Sequence, residues 1–97
     1  MMIGVRVYCR IFGAFNLKDK RSVMKSLLKK LAHRYNIAIA EVDLQDHIQK
    51  ACFAIATLSH NENEGKSKLA DLLKKAETYH PIEIYQTTWL YSVEEND

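Results

Sequence analysis

Hydrophobic and polar residues alternate with a period of two at the start of the chain, from residue 2 to residue 12. One side of this segment carries Val5, Val7, Cys9 and Ile11, and the other carries Arg6, Tyr8, Arg10 and Phe12. This period, together with the β-branched residues, predicts a β-strand. Gly13 then favours a turn, and Asn16 is suited to cap a following helix.

From Leu17 onward the hydrophobic residues recur at every third or fourth position. The stripe consists of Val23, Met24, Leu27, Leu28, Leu31 and Tyr35. This spacing predicts an amphipathic helix. A second helix is predicted from about Asn61 to Tyr79, and His80 with Pro81 ends it. Its apolar stripe consists of Leu69, Leu72, Leu73 and Ala76.

Three further strands are predicted, at 36–44, 49–59 and 82–93, with a turn at 45–48. The element order is therefore βαββαβ. With right-handed crossovers, both helices pack on one face of a four-stranded antiparallel sheet, which is the ferredoxin-like plait of the α+β class. The expected strand order is 4-1-3-2, and the 97 residues form a single domain spanning 1–97.

The third predicted strand is apolar on both faces. Phe53 and Ile55 lie on one face, and Cys52, Ala54, Ala56 and Leu58 lie on the other. A sheet with helices on one side only is expected to be polar on its open side. Tyr8, Trp89 and Tyr91 are expected to enlarge this open apolar surface. Because such a surface is usually covered, the pattern predicts a homodimer.

The net charge of +2 is too small to identify a partner, but the charge distribution is uneven. Lys18, Arg21, Lys25 and Lys29 follow one another at steps of three and four, so they form a basic stripe along the first helix. No acidic residue lies four positions away from any of them. The second helix instead mixes its charges, with Glu64 before Lys68 and Asp71 before Lys75.

Two interpretations of the basic stripe stay open. It is either an ordinary solvated helix face or the electrostatic footprint of a polyanion. In the second case the candidate nucleic-acid-binding residues are Lys18, Lys20, Arg21, Lys25 and Lys29, with Lys20 supporting the others at the helix start. The third strand does not carry the RRM motif, because Ala51, Cys52, Ala54 and Thr57 replace the required glycine and aromatic residues.

The sequence contains no catalytic signature, so we expect a protein without enzymatic activity, catalytic residues or cofactor. The four histidines have no metal-site spacing, and no phosphate-binding glycine pattern occurs. Glu41 and Asp43, expected on one strand face, join Asp46 and His47 in a set that suits a divalent metal. Charged edge strands and aspartate in turns are also normal, and we predict that no metal binds there.

Cys9 and Cys52 are too far apart in sequence for a C-x-x-C redox pair or a zinc knuckle. Buried, reduced thiols are the expected state.

Arg6 and Arg10 interrupt the apolar N-terminus before a signal peptide can form, and no apolar run is long enough to span a membrane. We therefore expect a cytoplasmic protein with no membrane partner.

Two segments, NLKDKRSVMKSL and AEVDLQDHIQKA, resemble the YlxP-like family of small bacterial proteins. The family's Ser-Leu-Lys-acid-Lys-Arg motif is matched at 17–21, with Asn16 in place of serine, and its Ala-Glu-Val-Asp and Gln-Asp patterns are matched at 40–43 and 45–46. The resemblance implies a ferredoxin-like fold and no established activity. Its members are often encoded beside translation and ribosome-maturation genes, which implies an RNA or ribosomal partner.

The leading hypothesis is a non-enzymatic RNA- or ribosome-associated binding protein that uses its basic first helix. The alternative is a dimeric small-molecule or protein-interaction module that uses the apolar face of its sheet.

Overall fold

A computed structural model describes residues 1–91. The elements are β1 (Met2–Ile11), α1 (Leu17–Arg34), β2 (Ala38–Asp43), β3 (Lys50–Leu58), α2 (Glu62–Tyr79) and β4 (Ile82–Tyr91). Neighbouring strands are antiparallel, in the order β2-β3-β1-β4. The predicted ferredoxin-like plait and its strand order are confirmed. Ser92 and Val93, which were predicted to end the last strand, lie outside the described residues.

The core lies between the sheet and the two helices. The alternation of β1 brings Ile3, Val5, Val7 and Cys9 to the helix side, where all four are fully buried. The helix stripes contribute Met24, Leu27, Leu31, Leu69, Leu72 and Ala76. Each large apolar side chain buried in this way contributes about 1.5–3 kcal/mol relative to its exposed state. The buried residues of β1, which recur at every second position, and those of the helices, which recur at every third or fourth, thus pack together in one core.

Both helices begin at an asparagine cap. The Asn16 side-chain oxygen accepts a hydrogen bond from the backbone N–H of Asp19 at 2.8 Å, and the Asp19 carboxylate accepts one from Phe15 N–H at 3.1 Å. Asn61 caps α2 in the same manner, accepting from Glu64 N–H at 2.9 Å. These bonds satisfy amide groups that have no partner inside the helix. The predicted cap at Asn16 is confirmed.

The two faces of β3 are both apolar, as predicted, with Phe53 and Ile55 in the core and Cys52 buried on the open side. The prediction for β4 was wrong in part. Trp89 pairs with Val5 and Tyr91 pairs with Ile3, so both lie on the helix side of the sheet.

The reason is a β-bulge in β4. Tyr8 pairs with Gln86, whereas the next residue, Cys9, pairs with Ile84. Tyr85 is therefore the extra residue, and it reverses the alternation of everything after it in the strand.

The open face of the sheet has an apolar half. It consists of Met2, Gly4, Ala38, Ala40, Ala54, Ala56, Leu58 and Leu90. All of these residues except Leu58 line a shallow depression of about 380 Å³. The side chain of Leu58 is 79% exposed, and Met2 and Leu90 are about half exposed. Small residues on β2 and β3 thus form a flat apolar floor with larger side chains beside it.

Candidate nucleic-acid interface

Helix α1 presents a row of cations to solvent. Lys18, Arg21, Lys25 and Lys29, which we call the basic stripe, are all exposed. Within residues 1–91 none of the four takes part in an ion pair. At about 1.5 Å of rise per residue, the stripe is about 16 Å long. That length corresponds to four or five phosphates of a stacked strand at about 3.4 Å each.

A groove of about 490 Å³ runs between the basic stripe and β2, the edge strand of the sheet. Arg21, Lys25 and Lys29 line it together with the apolar residues Met24, Leu28, Ala32 and Ile39 and with Glu41, whose carboxylate lies beside the Lys20 ammonium. A cationic side beside an apolar one suits a ligand that carries both phosphate and less polar sugar or base surfaces. The sequence placed the stripe correctly on a helix but did not indicate that a strand edge would form a groove with it.

Lys20 is not part of this exposed surface, and here the structure corrects the predicted set. Its side chain is 1% exposed, its ammonium group lies 3.2 Å from the Glu41 carboxylate, and it donates a hydrogen bond to the Leu44 carbonyl. The helical period explains the burial: Lys20 precedes Met24 by four positions and Leu27 by seven, so it extends the apolar stripe. The same spacing is visible in the sequence. Lys20 therefore fastens the β2–β3 hairpin to α1.

The four polar residues of the hairpin do not converge as one site. Glu41 pairs with Phe53 and faces the helices, whereas Asp43 pairs with Cys52 and faces the open side. The prediction that both project from one face was wrong, because a bulge lies between them. No group of three potential metal-ligating residues occurs in the described part of the chain.

Other bonds occupy these hairpin residues. The Asp43 carboxylate accepts a hydrogen bond from Leu44 N–H at 2.7 Å, and Leu44 has a positive φ of 58°. His47 Nδ1 accepts from the backbone N–H groups of Gln49 and Lys50 at 3.2 and 3.1 Å. The hairpin acids and histidine thus stabilise a tight turn. The absence of a bound metal stays a prediction, which metal analysis of protein purified without chelator tests.

Helix α2 is an internal comparison for the basic stripe, because two of its cations, Lys68 and Lys75, have polar partners. The Lys75 ammonium lies 3.1 Å from the Asp71 carboxylate, as the spacing predicted. Lys68 donates to the Thr57 hydroxyl at 2.8 Å rather than pairing with Glu64. The two helices therefore differ in the way the sequence suggested: α2 has a mixed surface with local partners, whereas the stripe on α1 is uncompensated.

Two further cations of α1, Lys30 and Arg34, lie toward its C-terminal end. Lys30 and Arg34 line a cleft of about 290 Å³ with Tyr79 and His80 at the end of α2. Burial, with a further contribution from the Lys30 charge, lowers the pKa of His80 below its ordinary value of 6.5. Cations near helix C-termini are stabilised by the helix dipole. The position of Arg34 in the last turn of α1 is thus accounted for without a ligand.

The two thiols are free and buried, as predicted. Burial is the main cause that raises the pKa of Cys9 to about 12, and burial also raises the pKa of Cys52 above 9.0. A nucleophilic cysteine needs a lowered pKa, so neither thiol is activated.

Among the described residues 1–91, neither helix has the length and apolar character of a membrane-spanning segment.

A family model described as "Protein of unknown function (DUF503)" matches residues 3–89 of this chain. The chain belongs to the DUF503 family. It is 33% identical over 91 residues to the uncharacterized protein YlxP of Bacillus subtilis (strain 168), a match that covers 91% of this chain and 99% of that protein. The YlxP-like resemblance is thereby confirmed, and this relative is bacterial, as expected.

The chain is also similar in structure to a de novo designed protein with a ferredoxin fold, solved by NMR in solution. The TM-score is 0.60, the identity is 16%, and the match covers 99% of this chain and 90% of the designed one. At this identity the likeness supports the fold alone.

The two motifs that carry the family resemblance are joined in the structure. Asp19 completes the cap of α1, and Lys20 pairs with Glu41 of the second motif. Lys18 and Arg21, by contrast, are exposed and have no ion-pair partner among residues 1–91. Within the first motif, these two cations are the ones that local packing does not explain.

Proposed function

We propose that this protein binds RNA, free or within the ribosome, through the basic stripe of α1 and without catalysing a reaction. The observation that supports the proposal is the row of four exposed, uncompensated cations on a single helix face. Like charges at helical spacing lower the stability of a helix by a few tenths of a kcal/mol per pair, so the stripe does not stabilise the fold. A phosphate backbone is the ligand that such a row neutralises best.

The charge of the basic stripe favours a polyanionic ligand. The gene neighbourhood implied by the family resemblance favours RNA among the polyanions. Contacts to phosphate position a nucleic acid without reading its sequence. Shape and single-strandedness therefore supply the selectivity of the stripe. A cytoplasmic location belongs to the same proposal, because the RNA partner resides there and both cysteines are free.

Binding to a labelled single-stranded RNA at low salt tests this function. We expect Lys25→Gln/Lys29→Gln to weaken binding by about tenfold or more, because charge-assisted contacts contribute about 1.5–3 kcal/mol when they are formed. The matched control is Lys74→Gln/Lys75→Gln, which removes the same charge from α2. Equal losses in the two double variants would show that only net charge matters and would contradict a specific role for the stripe.

The second candidate is a dimeric interaction module, and the apolar half of the open sheet face favours it. An exposed Leu58 beside a floor of alanines is a surface that proteins usually cover. A second copy of the chain offers the same flat surface and buries both at once. The two candidates are compatible, because α1 lies on the opposite side of the sheet.

A further inference from the structure

The open face of the sheet has a second half, at the end away from the apolar residues, which contains aromatic rings. Tyr8 of β1 and Tyr85 of β4 lie with their ring centres 6.3 Å apart. Tyr85 reaches this position because it is the extra residue of the β-bulge. A bulge that redirects a side chain is a common feature beside functional sites. The sequence period alone does not place these two rings together.

Two cations lie close to the Tyr85 ring, and a third is exposed on the same face of the sheet. The Arg10 guanidinium lies 5.3 Å from the centre of the Tyr85 ring, and the Lys50 ammonium lies 5.8 Å from it. Arg6 is exposed on the same face of β1. We call these five residues the tyrosine patch: Arg6, Tyr8, Arg10, Lys50 and Tyr85.

The charges of the patch are not arranged for stability. Arg10 and Lys50 are direct cross-strand partners, and like charges in that position are destabilising. Two acids lie on this face: Glu83 pairs with Arg10 at 3.1 Å, and Asp43, beside Cys52, accepts a hydrogen bond from Leu44 N–H. In the part of the chain that the structure describes, Arg6 and Lys50 have no ion-pair partner. The patch therefore contains two cations without an ion-pair partner, Arg6 and Lys50, next to the partly exposed ring of Tyr85. A negatively charged ligand would neutralise these cations.

We propose that the tyrosine patch binds the bases of single-stranded RNA. Bases stack on aromatic rings and on guanidinium planes, and the lysine and arginine charges neutralise the adjacent phosphates. The inference goes beyond the function proposed for the stripe on α1, which rests on phosphate contacts and lies on the other side of the sheet. It also differs from RRM recognition by motif, since one ring comes from β1 and the other from the bulge in β4.

A comparison of two probes separates base stacking from phosphate binding. The first probe is an oligouridylate of about ten nucleotides, and the second is an abasic ribose-phosphate chain of equal length and charge. We expect the parent protein to bind the oligouridylate at least about fivefold more tightly for each stacked base. Equal affinity of the parent for both probes would overturn the proposal, and this measurement requires no variant.

Variants then locate the preference. Tyr8→Leu/Tyr85→Leu is expected to lose most of the preference for bases while it still binds both probes. Tyr79→Leu, which removes an aromatic ring that is 71% exposed on α2, is the matched control and keeps the preference. Because the tyrosine double variant alters β-strands, Lys50→Gln serves as a milder second variant and is expected to weaken oligouridylate binding. A retained base preference in the folded double variant would contradict the patch.

The same data distinguish this inference from the function proposed for α1. Lys25→Gln/Lys29→Gln is expected to weaken both probes by the same factor and to leave their ratio unchanged. If the lysine variant keeps its affinity while the tyrosine variant loses the base preference, the function proposed for the basic stripe is contradicted and the tyrosine patch is supported. If the parent shows no base preference but the lysine variant loses affinity, the tyrosine patch is contradicted and the basic stripe is supported.

Discussion

At the scale of single residues, the most informative side chain is Lys20. The sequence predicted that it contacts nucleic acid, whereas in the structure its ammonium group is buried and paired with Glu41. A buried ammonium is tolerated because the Glu41 carboxylate and the Leu44 carbonyl both face it. The Glu41 side chain retains 20% exposure, so the pair lies at the boundary of the core. Lys20 thereby connects the first turns of α1 to the hairpin after β2.

Lys20→Met is expected to destabilise the protein by about 3 kcal/mol or more, because it leaves the Glu41 carboxylate largely buried and unpaired. Lys20→Met/Glu41→Leu removes both charges and is expected to recover at least about half of that loss. Urea denaturation of the two variants and the parent measures the difference. A single variant within about 1 kcal/mol of the parent would contradict the structural role of the pair.

Cys9 predicts a dependence of stability on alkaline pH. Its pKa is about 12 in the folded protein, against an ordinary value of 9.0 for a solvated cysteine thiol, so the folded state disfavours the thiolate. The resulting stability is fully present below pH 9 and is lost as the pH rises from 9 toward 12. Lysines and tyrosines titrate in the same window, so the comparison is with Cys9→Ala. We expect the free energy of unfolding of Cys9→Ala to fall less steeply in this window than that of the parent.

At the scale of elements, the sequence predicts well wherever one period runs through a whole element. The stripes of α1 and α2 and the alternation of β1 are uninterrupted, and their positions were right to within a few residues. Bulges at Tyr85 and between Glu41 and Asp43 broke the period in β4 and β2. The faces of Trp89, Tyr91 and Asp43 were therefore assigned wrongly, because an extra residue leaves no mark in a hydrophobic pattern.

Helix α2 offers a test in which packing and helix propensity oppose each other. Replacing a helical glycine by alanine normally stabilises a protein by about 1 kcal/mol. At Gly65, however, the added methyl group would clash with Cγ1 of Ile3 on β1. We expect Gly65→Ala to be net destabilising by up to about 2 kcal/mol, since overpacking costs about 1–3 kcal/mol and the gain in helix propensity offsets about 1 kcal/mol of it.

A double-mutant cycle with Ile3→Ala checks the cause. If the clash with Ile3 dominates, Gly65→Ala costs less in the Ile3→Ala background than in the parent, and thermal unfolding of the four proteins measures this coupling. A Gly65→Ala variant that is more stable than the parent in both backgrounds would show that α2 sits farther from β1 than described.

At the scale of the whole molecule, the sheet separates three surfaces: the basic stripe on one side, and the apolar half and the tyrosine patch on the other. The candidate site was predictable only in part. The charge of α1 is plain in the sequence, but the groove along β2 and the meeting of Tyr8 with Tyr85 depend on strand register. Those relations arise from tertiary pairing and have no local signal.

The apolar half predicts self-association. We expect sedimentation equilibrium to show a species of twice the 11.2 kDa monomer mass at micromolar concentration. Ala56→Glu places a charge on the apolar floor and is expected to shift the protein toward monomer. Thr88→Glu, on the same face but outside the apolar half, is the control. A parent protein that stays monomeric at the highest accessible concentration would contradict this interface.

The salt dependence of RNA binding tests the central claim most directly. If the four stripe residues neutralise phosphates, they contribute about −3 to the slope of log K plotted against log salt, from about −0.7 per contact on a single strand. Lys25→Gln/Lys29→Gln then flattens the slope by about 1.4, whereas Lys74→Gln/Lys75→Gln leaves it unchanged. A flat slope in the parent, or equal flattening in both double variants, would show that the basic stripe is an ordinary solvated helix face.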